Sequence, residues 1–200
     1  MRRTLFVITA AVLAAPASTL AQRPESLSEV TREYVSVDAA VVALTNVRVI
    51  DGTGAPARAN QTVLIENGRI AAVGTTGDVI VPAGAEVLDL SGHTVFPGMV
   101  GLHNHLYYTA AGGRGAQLTF SAPRLYLAAG VTTVRTTGSR APYAEINLKN
   151  VIDMGGSPGP RIHITAPYIT GGQGITTMTI LNSPEQARRF VAYWAAEGAT

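Results

Sequence analysis

Pro97-Gly98-Met99-Val100-Gly101-Leu102-His103-Asn104-His105 is the stretch on which the fold turns. Met99 to Leu102 is an apolar run, and it leads into two histidines separated by one residue. Side chains alternate across a strand, so residues two apart share a face. Read as a strand, the segment aims both imidazoles at one side, where they can converge on one cation at nitrogen–metal distances of about 2.0–2.1 Å. Asn104 is then expected to point away. On a helix the same spacing would splay the rings apart. A bare His-x-His also arises by chance on surfaces, so the context has to carry the reading. Here that context is an apolar strand, a preceding Pro-Gly and the pattern that follows.

Downstream, strands and helices alternate. Ser121 to Ala129 reads as a helix, with Pro123 in its first turn and Gly130 at its stop. Val131-Thr132-Thr133-Val134-Arg135 is a β-branched strand. Tyr143 to Met154 is helical in pattern and closes at Gly155-Gly156; Arg161 to Ala166 is a third strand. Ser183 as N-cap and Pro184 in the first turn open a further helix to about Ala196. Units at this spacing indicate a parallel α/β array. A closed (β/α)₈ barrel needs about 250 residues. Thr200 falls where a fourth strand would begin, so the sequence reads as three βα units of an incomplete barrel, a truncated product.

Upstream the texture is all-β. Val41-Val42-Ala43-Leu44 and Val47-Arg48-Val49-Ile50 read as β-structure ended by Asp51-Gly52-Thr53-Gly54. Thr62 to Glu66 and Arg69 to Val73 flank Asn67-Gly68, a dipeptide that favours a type I′ hairpin turn because both central residues need positive φ. Glu86 to Leu90 and His93 to Phe96 add two short strands. The expected division is a signal peptide over 1–21, an arm or short helix over 22–39, a β domain over 40–97 and an α/β domain over 98–200.

Composition narrows the function classes. Hydrophobic residues make up 46% and charged residues 14%, enough for a core and unlike a disordered tail. The formal charge of +2 comes from Arg2 and Arg3, which lie in the segment expected to be removed. The remainder is neutral and has one lysine, Lys149, which argues against nucleic acid or an anionic membrane as partner. With no cysteine, disulfides, thiolate metal sites and cysteine nucleophiles are excluded. Met1-Arg2-Arg3, the short apolar run Leu5 to Ala15 and Thr19-Leu20-Ala21 predict cleavage after Ala21 and export to the periplasm or medium, with no lasting membrane anchor. An uncleaved N-terminal anchor is the other reading.

Val95 to His105 resembles the signature of the amidohydrolase superfamily. So do Val49-Ile50-Asp51-Gly52-Thr53-Gly54 and Val63 to Gly74 before it. Gly130 to Arg135 is similar to the family's second barrel strand, and Gly159-Pro160-Arg161-Ile162 with Gly171-Gly172-Gln173-Gly174 to the third strand and loop of its imidazolonepropionase-like and prolidase-like branches. The resemblance covers residues 41–200. It implies a β-sandwich beside a metal-dependent TIM barrel. It also implies metal-activated water attacking a carbon–nitrogen bond of a small amide, with one or two divalent ions such as zinc held in part by His103 and His105. In the family, a carboxylated lysine on strand four, histidines on strands five and six and a base aspartate on strand eight complete the site. No position of this chain matches them, so no catalytic residue is assigned and residues 22–200 alone are expected to have little activity. Gly101 stands where many members carry Asp, and Gln173 where some prolidase-like members carry His.

Weaker candidates surround the pair. Tyr107 and Tyr108 follow it and could line a substrate pocket or pack. Tyr108, Arg135 and Gln173 are the candidate substrate contacts; Arg135 could take a substrate carboxylate or form a salt bridge. His163 between two isoleucines reads as structural, and His93 as a solvated turn residue. An ester- or lactone-cleaving enzyme of the same fold is the nearest rival, and a non-catalytic secreted metal- or partner-binding module is a second. An open barrel would expose an edge strand and apolar surface, so assembly with itself or with a missing half is expected.

Overall fold

The computed structural model describes residues 26–109, 111–113, 115–172 and 178–200. The expected signal peptide and Gln173 lie outside the described residues. Among the described residues no helix is long and apolar enough to cross a membrane.

The arm opens with a short helix, α1 (Glu29–Arg32), capped by the Ser28 hydroxyl, which accepts from Thr31 N at 3.2 Å. Five strands follow: β1 (Val41–Val49), β2 (Arg58–Glu66), β3 (Arg69–Thr75), β4 (Glu86–Asp89) and β5 (Thr94–Val95). Asn67 (φ 50°) and Gly68 (φ 73°) form the β2–β3 turn, and Glu66 pairs with Arg69 as the dipeptide predicts. The two apolar runs expected around residue 45 are one strand. It passes through Asn46 at φ 59°, with a register shift between Leu44 and Val47. Asparagine tolerates that left-handed backbone better than a bulky residue would.

All five strands form one sheet in the order β3-β2-β1-β4, with β5 also on β1. This corrects the expected β-sandwich: among the described residues residues 40–97 have one layer, not two. The reason lies in β1. Its first half runs parallel to β4 and its second half to β5, so both late strands join the sheet already present. Val47, Val49 and Val63 form its buried patch, with Leu44, Ile65, Leu90 and Val95 packed around them.

From Met99 the chain is α/β. Strand β6 (Met99–Asn104) is followed by a hairpin, β7 (Tyr107–Thr109) and β8 (Gly115–Gln117). Helix α2 (Ser121–Ala128) leads to β9 (Val131–Thr136), and α3 (Pro142–Asp153) leads to β10 (Arg161–His163). Two short strands, β11 (Ile169–Thr170) and β12 (Thr179–Ile180), precede α4 (Pro184–Ala196), whose N-cap Ser183 accepts from Gln186 N at 3.2 Å. β6, β9 and β10 form a parallel sheet with β9 in the middle. After α4 the backbone N–H of Thr200 donates to Ile164 O at 2.8 Å, just past β10.

One face of this sheet is dry. Val134, Ile162 and Ile164 pack there against Ala122, Leu148 and Ile152 of the helices and against Leu106. Each of these valine, leucine and isoleucine side chains contributes about 1.5–3 kcal/mol by leaving water. The other face carries Arg135, Arg161 and His163, all exposed, with His163 opposite Arg135 in register. His163 is therefore no core histidine; strand alternation turns it away from its buried isoleucine neighbours.

Candidate metal centre

The site begins with how closely β6 lies on β9. A Cβ at Gly98 would come within 2.2 Å of the Thr132 side chain, so glycine lets the strand start in contact. Further along, Gly101 pairs with Val134 and Asn104 with Thr136. Leu102 and His103 together stand against Arg135 alone, which is a β-bulge, a feature that re-aims side chains at sheet ends.

His103 is the fifth residue of β6, and His105 follows the strand's last residue. Their ring centres are 5.4 Å apart and their planes meet at 90°. Two imidazoles on one tetrahedral ion, each bound at about 2.0–2.1 Å, have centres about 5 Å apart. The observed separation is close to that spacing, and imidazole nitrogen is a donor that suits zinc. Among the described residues no three His, Cys, Asp or Glu side chains stand together as a complete metal site.

Asn104 does not simply point away. Its amide folds back towards Gly101, where a Cβ would meet its Nδ2 at 2.2 Å, and that nitrogen is buried without a partner. The bulge breaks the alternation on which the simple expectation rested.

His105 is held from two sides. Tyr126 of α2 donates its hydroxyl to His105 O at 3.1 Å, and Tyr108 meets the Tyr126 hydroxyl at 3.3 Å. On the ring side, Tyr168 Oη lies 3.3 Å from His105 Nδ1, and Tyr107 Oη lies 2.7 Å from Tyr168 Oη. The Tyr107 ring centre is 5.0 Å from the imidazole. Burial lowers the pKa of His105, the neighbouring His103 and Arg140 lower it further, and a backbone hydrogen bond with Gly138 opposes them. The neutral ring so favoured is the form that binds a metal. Burial first, then the Tyr107 contact, pushes the Tyr168 phenol up to about 12, so it stays a hydroxyl.

Of the other residues singled out in the sequence, Tyr107 is the tyrosine whose ring lies tilted against His105, whereas Tyr108 is turned to Tyr126. Arg135 is exposed beside His163, and no salt bridge forms on it among the described residues. Lys149 sits on α3, bonded to Asp153 one turn on. His93 Nδ1 is 3.3 Å from Ser91 O in an exposed turn. Sequence reading missed Tyr168, Arg140 and Glu145. Tyr168 lies 63 positions from His105, a separation at which no local pattern signals contact.

Glu145, in the first turn of α3, is fully buried at 0% exposure. Burial raises its pKa; the nearby Ser139, Gln117 and Thr136 side chains pull the other way and lose. Neither carboxylate oxygen has a hydrogen bond of ordinary length, nor does the buried Gln117 Nε2.

The chain is similar in sequence and in structure to known proteins. Sixty-seven residues match the N-substituted formamide deformylase of Arthrobacter pascens at 49% identity, covering 32% of this chain and 12% of that enzyme. A 44-residue match to the dihydroorotase of Mycobacterium tuberculosis is 46% identical, over 22% of this chain and 10% of that one. In structure, the chain is similar to a Bifidobacterium longum protein assigned as a prolidase, with a TM-score of 0.67 and 32% identity. That likeness covers 80% of this chain and 39% of the other. The amidohydrolase resemblance holds. No family model matches the chain. This amidohydrolase-like chain thus spans well under half the length of the relatives it resembles, 39% of the prolidase and 12% of the deformylase.

Proposed function

We propose that the protein is a metal-dependent hydrolase of carbon–nitrogen bonds in small amide substrates, with His103 and His105 as two ligands of a divalent ion, zinc in the first instance. The observation that carries this reading is the imidazole pair 5.4 Å apart at the exit end of a parallel strand, where α/β folds place their chemistry. The amide-cleaving relatives support the bond class. The proposal includes closure of β6, β9 and β10 into a barrel in the whole protein, a division into a β domain over 40–97 and an α/β domain over 98–200, and export after cleavage of residues 1–21.

A divalent ion held by these two rings would lower the pKa of bound water and polarise the scissile carbonyl. The chain's own part is positional. His103 and His105 would offer ring nitrogens to the ion. In the tautomer with hydrogen on Nδ1, His105 donates to Tyr168 Oη and keeps Nε2 free for the ion. Tyr126 fixes the backbone beneath that ring. The Tyr107–Tyr168 pair lies against one side of the imidazole.

The test is a panel of small amides, dipeptides and lactones presented to a full-length version of the protein with and without added zinc. Zinc-dependent turnover of amides is expected and should disappear with a chelator. Turnover of lactones alone would move the protein to the ester-cleaving reading. Zinc binding without turnover of any substrate would favour a metal-binding module.

A further inference from the structure

Glu145 is a buried acid ringed by the segments that hold His105 in place. It enters from the first turn of α3 at 0% exposure, and neither of its oxygens has a hydrogen bond of ordinary length. The polar side chains around it are those of Ser139, Gln117 and Thr136. Each belongs to a segment that carries a neighbour of His105. Gln117 on β8 is the register partner of Tyr107, whose ring lies against the imidazole. Thr136, the last residue of β9, is the partner of Asn104, which stands between the two histidines. Ser139 follows Gly138, whose backbone bonds to His105, and it pairs with Pro167, next to Tyr168. Hairpin β7–β8 forms a sheet of its own, outside the β6–β9–β10 ladder, so side chains have to fix it against β9.

Buried polar groups are bonded as a rule, and an orphan calls for a reason. Gln117 Nε2 is a second buried orphan beside the first. A protonated carboxyl and a primary amide match at two points, each giving one hydrogen and taking one. Burial raises the pKa of Glu145, which favours that protonated form. Thr136 Oγ1 accepts from Thr165 N at 3.0 Å and Ser139 Oγ from Ala141 N at 3.2 Å, which leaves both hydroxyl hydrogens to give. We propose that Glu145 is a positioning residue for the His105 ring: paired with Gln117 and met by the Thr136 and Ser139 hydroxyls, it holds hairpin β7–β8, the end of β9 and residues 137–141 in the relation that orients the imidazole. It acts through Tyr107, Gly138 and Tyr168. The inference rests on the proposed role of His105 as a metal ligand, and its first readout needs no metal.

The orientation of the ring is read in the metal-free, full-length protein from the His105 Cε1–H proton resonance, identified by its loss in His105→Gln. Glu145→Leu keeps the bulk and removes the polar centre. It should shift that resonance and lower zinc affinity, measured by chelator competition, by about 10-fold. Glu145→Gln should restore both, because two amides also match at two points. Gln117→Leu should reproduce the shift from the hairpin side, and it decides the matter if Glu145→Leu does not fold. Leu148→Ala is the control on the same helix: it opens the core and lowers the unfolding temperature, but should leave the resonance and the zinc affinity unchanged. A resonance unmoved by Glu145→Leu and Gln117→Leu, one moved as far by Leu148→Ala, a failure of Glu145→Gln to restore it, or a shift with no loss of zinc affinity would overturn the proposal. A resonance that moves and is restored in a protein that binds no zinc would remove the metal reading and leave the positioning of the ring standing.

Discussion

The side-chain amide of Asn104 occupies the space that a side chain at position 101 would need: a Cβ on Gly101 would lie 2.2 Å from Asn104 Nδ2. The two residues are therefore coupled three positions apart on the strand that carries the imidazole pair. Gly101→Ala should push the amide aside and destabilise the protein by about 1 kcal/mol, the low end for overpacking because an amide tip can yield. Asn104→Ala in the same chain should recover most of that loss. A double-mutant cycle on unfolding free energies measures the coupling, expected at about 0.5 kcal/mol or more. Additive losses would show that the two side chains do not compete for the space.

Glu145 makes a prediction about pH. Its folded pKa lies above the ordinary value of 4.5, chiefly because burial penalises the charged form. Below that value both the folded and unfolded chains hold the proton, and the full stability is present. As pH rises from there through the raised folded value, the unfolded chain loses its proton first, and stability falls. Glu145→Gln removes the titration and keeps a polar group of the same size. Unfolding temperatures followed from pH 4 upward, relative to that variant, should therefore fall for the native protein and then level off. Parallel profiles would mean that the carboxyl is not held in its neutral form.

How much of this was legible in the sequence follows from how local each signal is. The Asn67-Gly68 turn needs two adjacent residues with positive φ, and the sequence names them. Ser183-Pro184 marks a helix start within two positions for a similar reason. The closeness of the His103 and His105 rings is legible in their one-residue spacing. The bulge at Leu102 and His103 is not, since it depends on how β6 registers against β9, and with it goes the orientation of Asn104. Tyr168 and Arg140 reach the site only once β10 and β6 have joined the two sides of β9. Glu145 was hidden by its type: an acidic residue in a first helical turn is commonly a solvated one that favours the helix dipole, and only packing shows it buried.

Gly138 should be as sensitive as the imidazoles themselves. Its φ is 75°, and a Cβ there would lie 2.2 Å from the Tyr168 ring. Gly138→Ala combines a strained backbone with displacement of that ring, for an expected cost of about 1–3 kcal/mol. Tyr168→Phe removes only the hydroxyl between Tyr107 and His105 and should cost about 1 kcal/mol. If the ring's position matters to the site, Gly138→Ala weakens zinc binding more than Tyr168→Phe does. Calorimetric titration with zinc ranks the two, and the reverse order would assign Tyr168's contribution to its hydroxyl alone.

The imidazole pair itself is tested by removing one ring at a time. His103→Ala and His105→Ala should each lower zinc affinity by about 100-fold or more, since losing a ligand costs at least as much as losing an orienting neighbour. The folding cost should differ between them. His103 is exposed on the strand, and its replacement should leave the unfolding temperature of the metal-free protein nearly unchanged. His105 packs against Tyr107 and bonds to Tyr168, so its replacement should also cost about 1 kcal/mol in the metal-free protein. Chelator competition gives the affinities, and thermal unfolding in the presence of chelator gives the folding cost. Zinc affinity unchanged by either replacement would remove both residues from the metal site, whatever the fold around them.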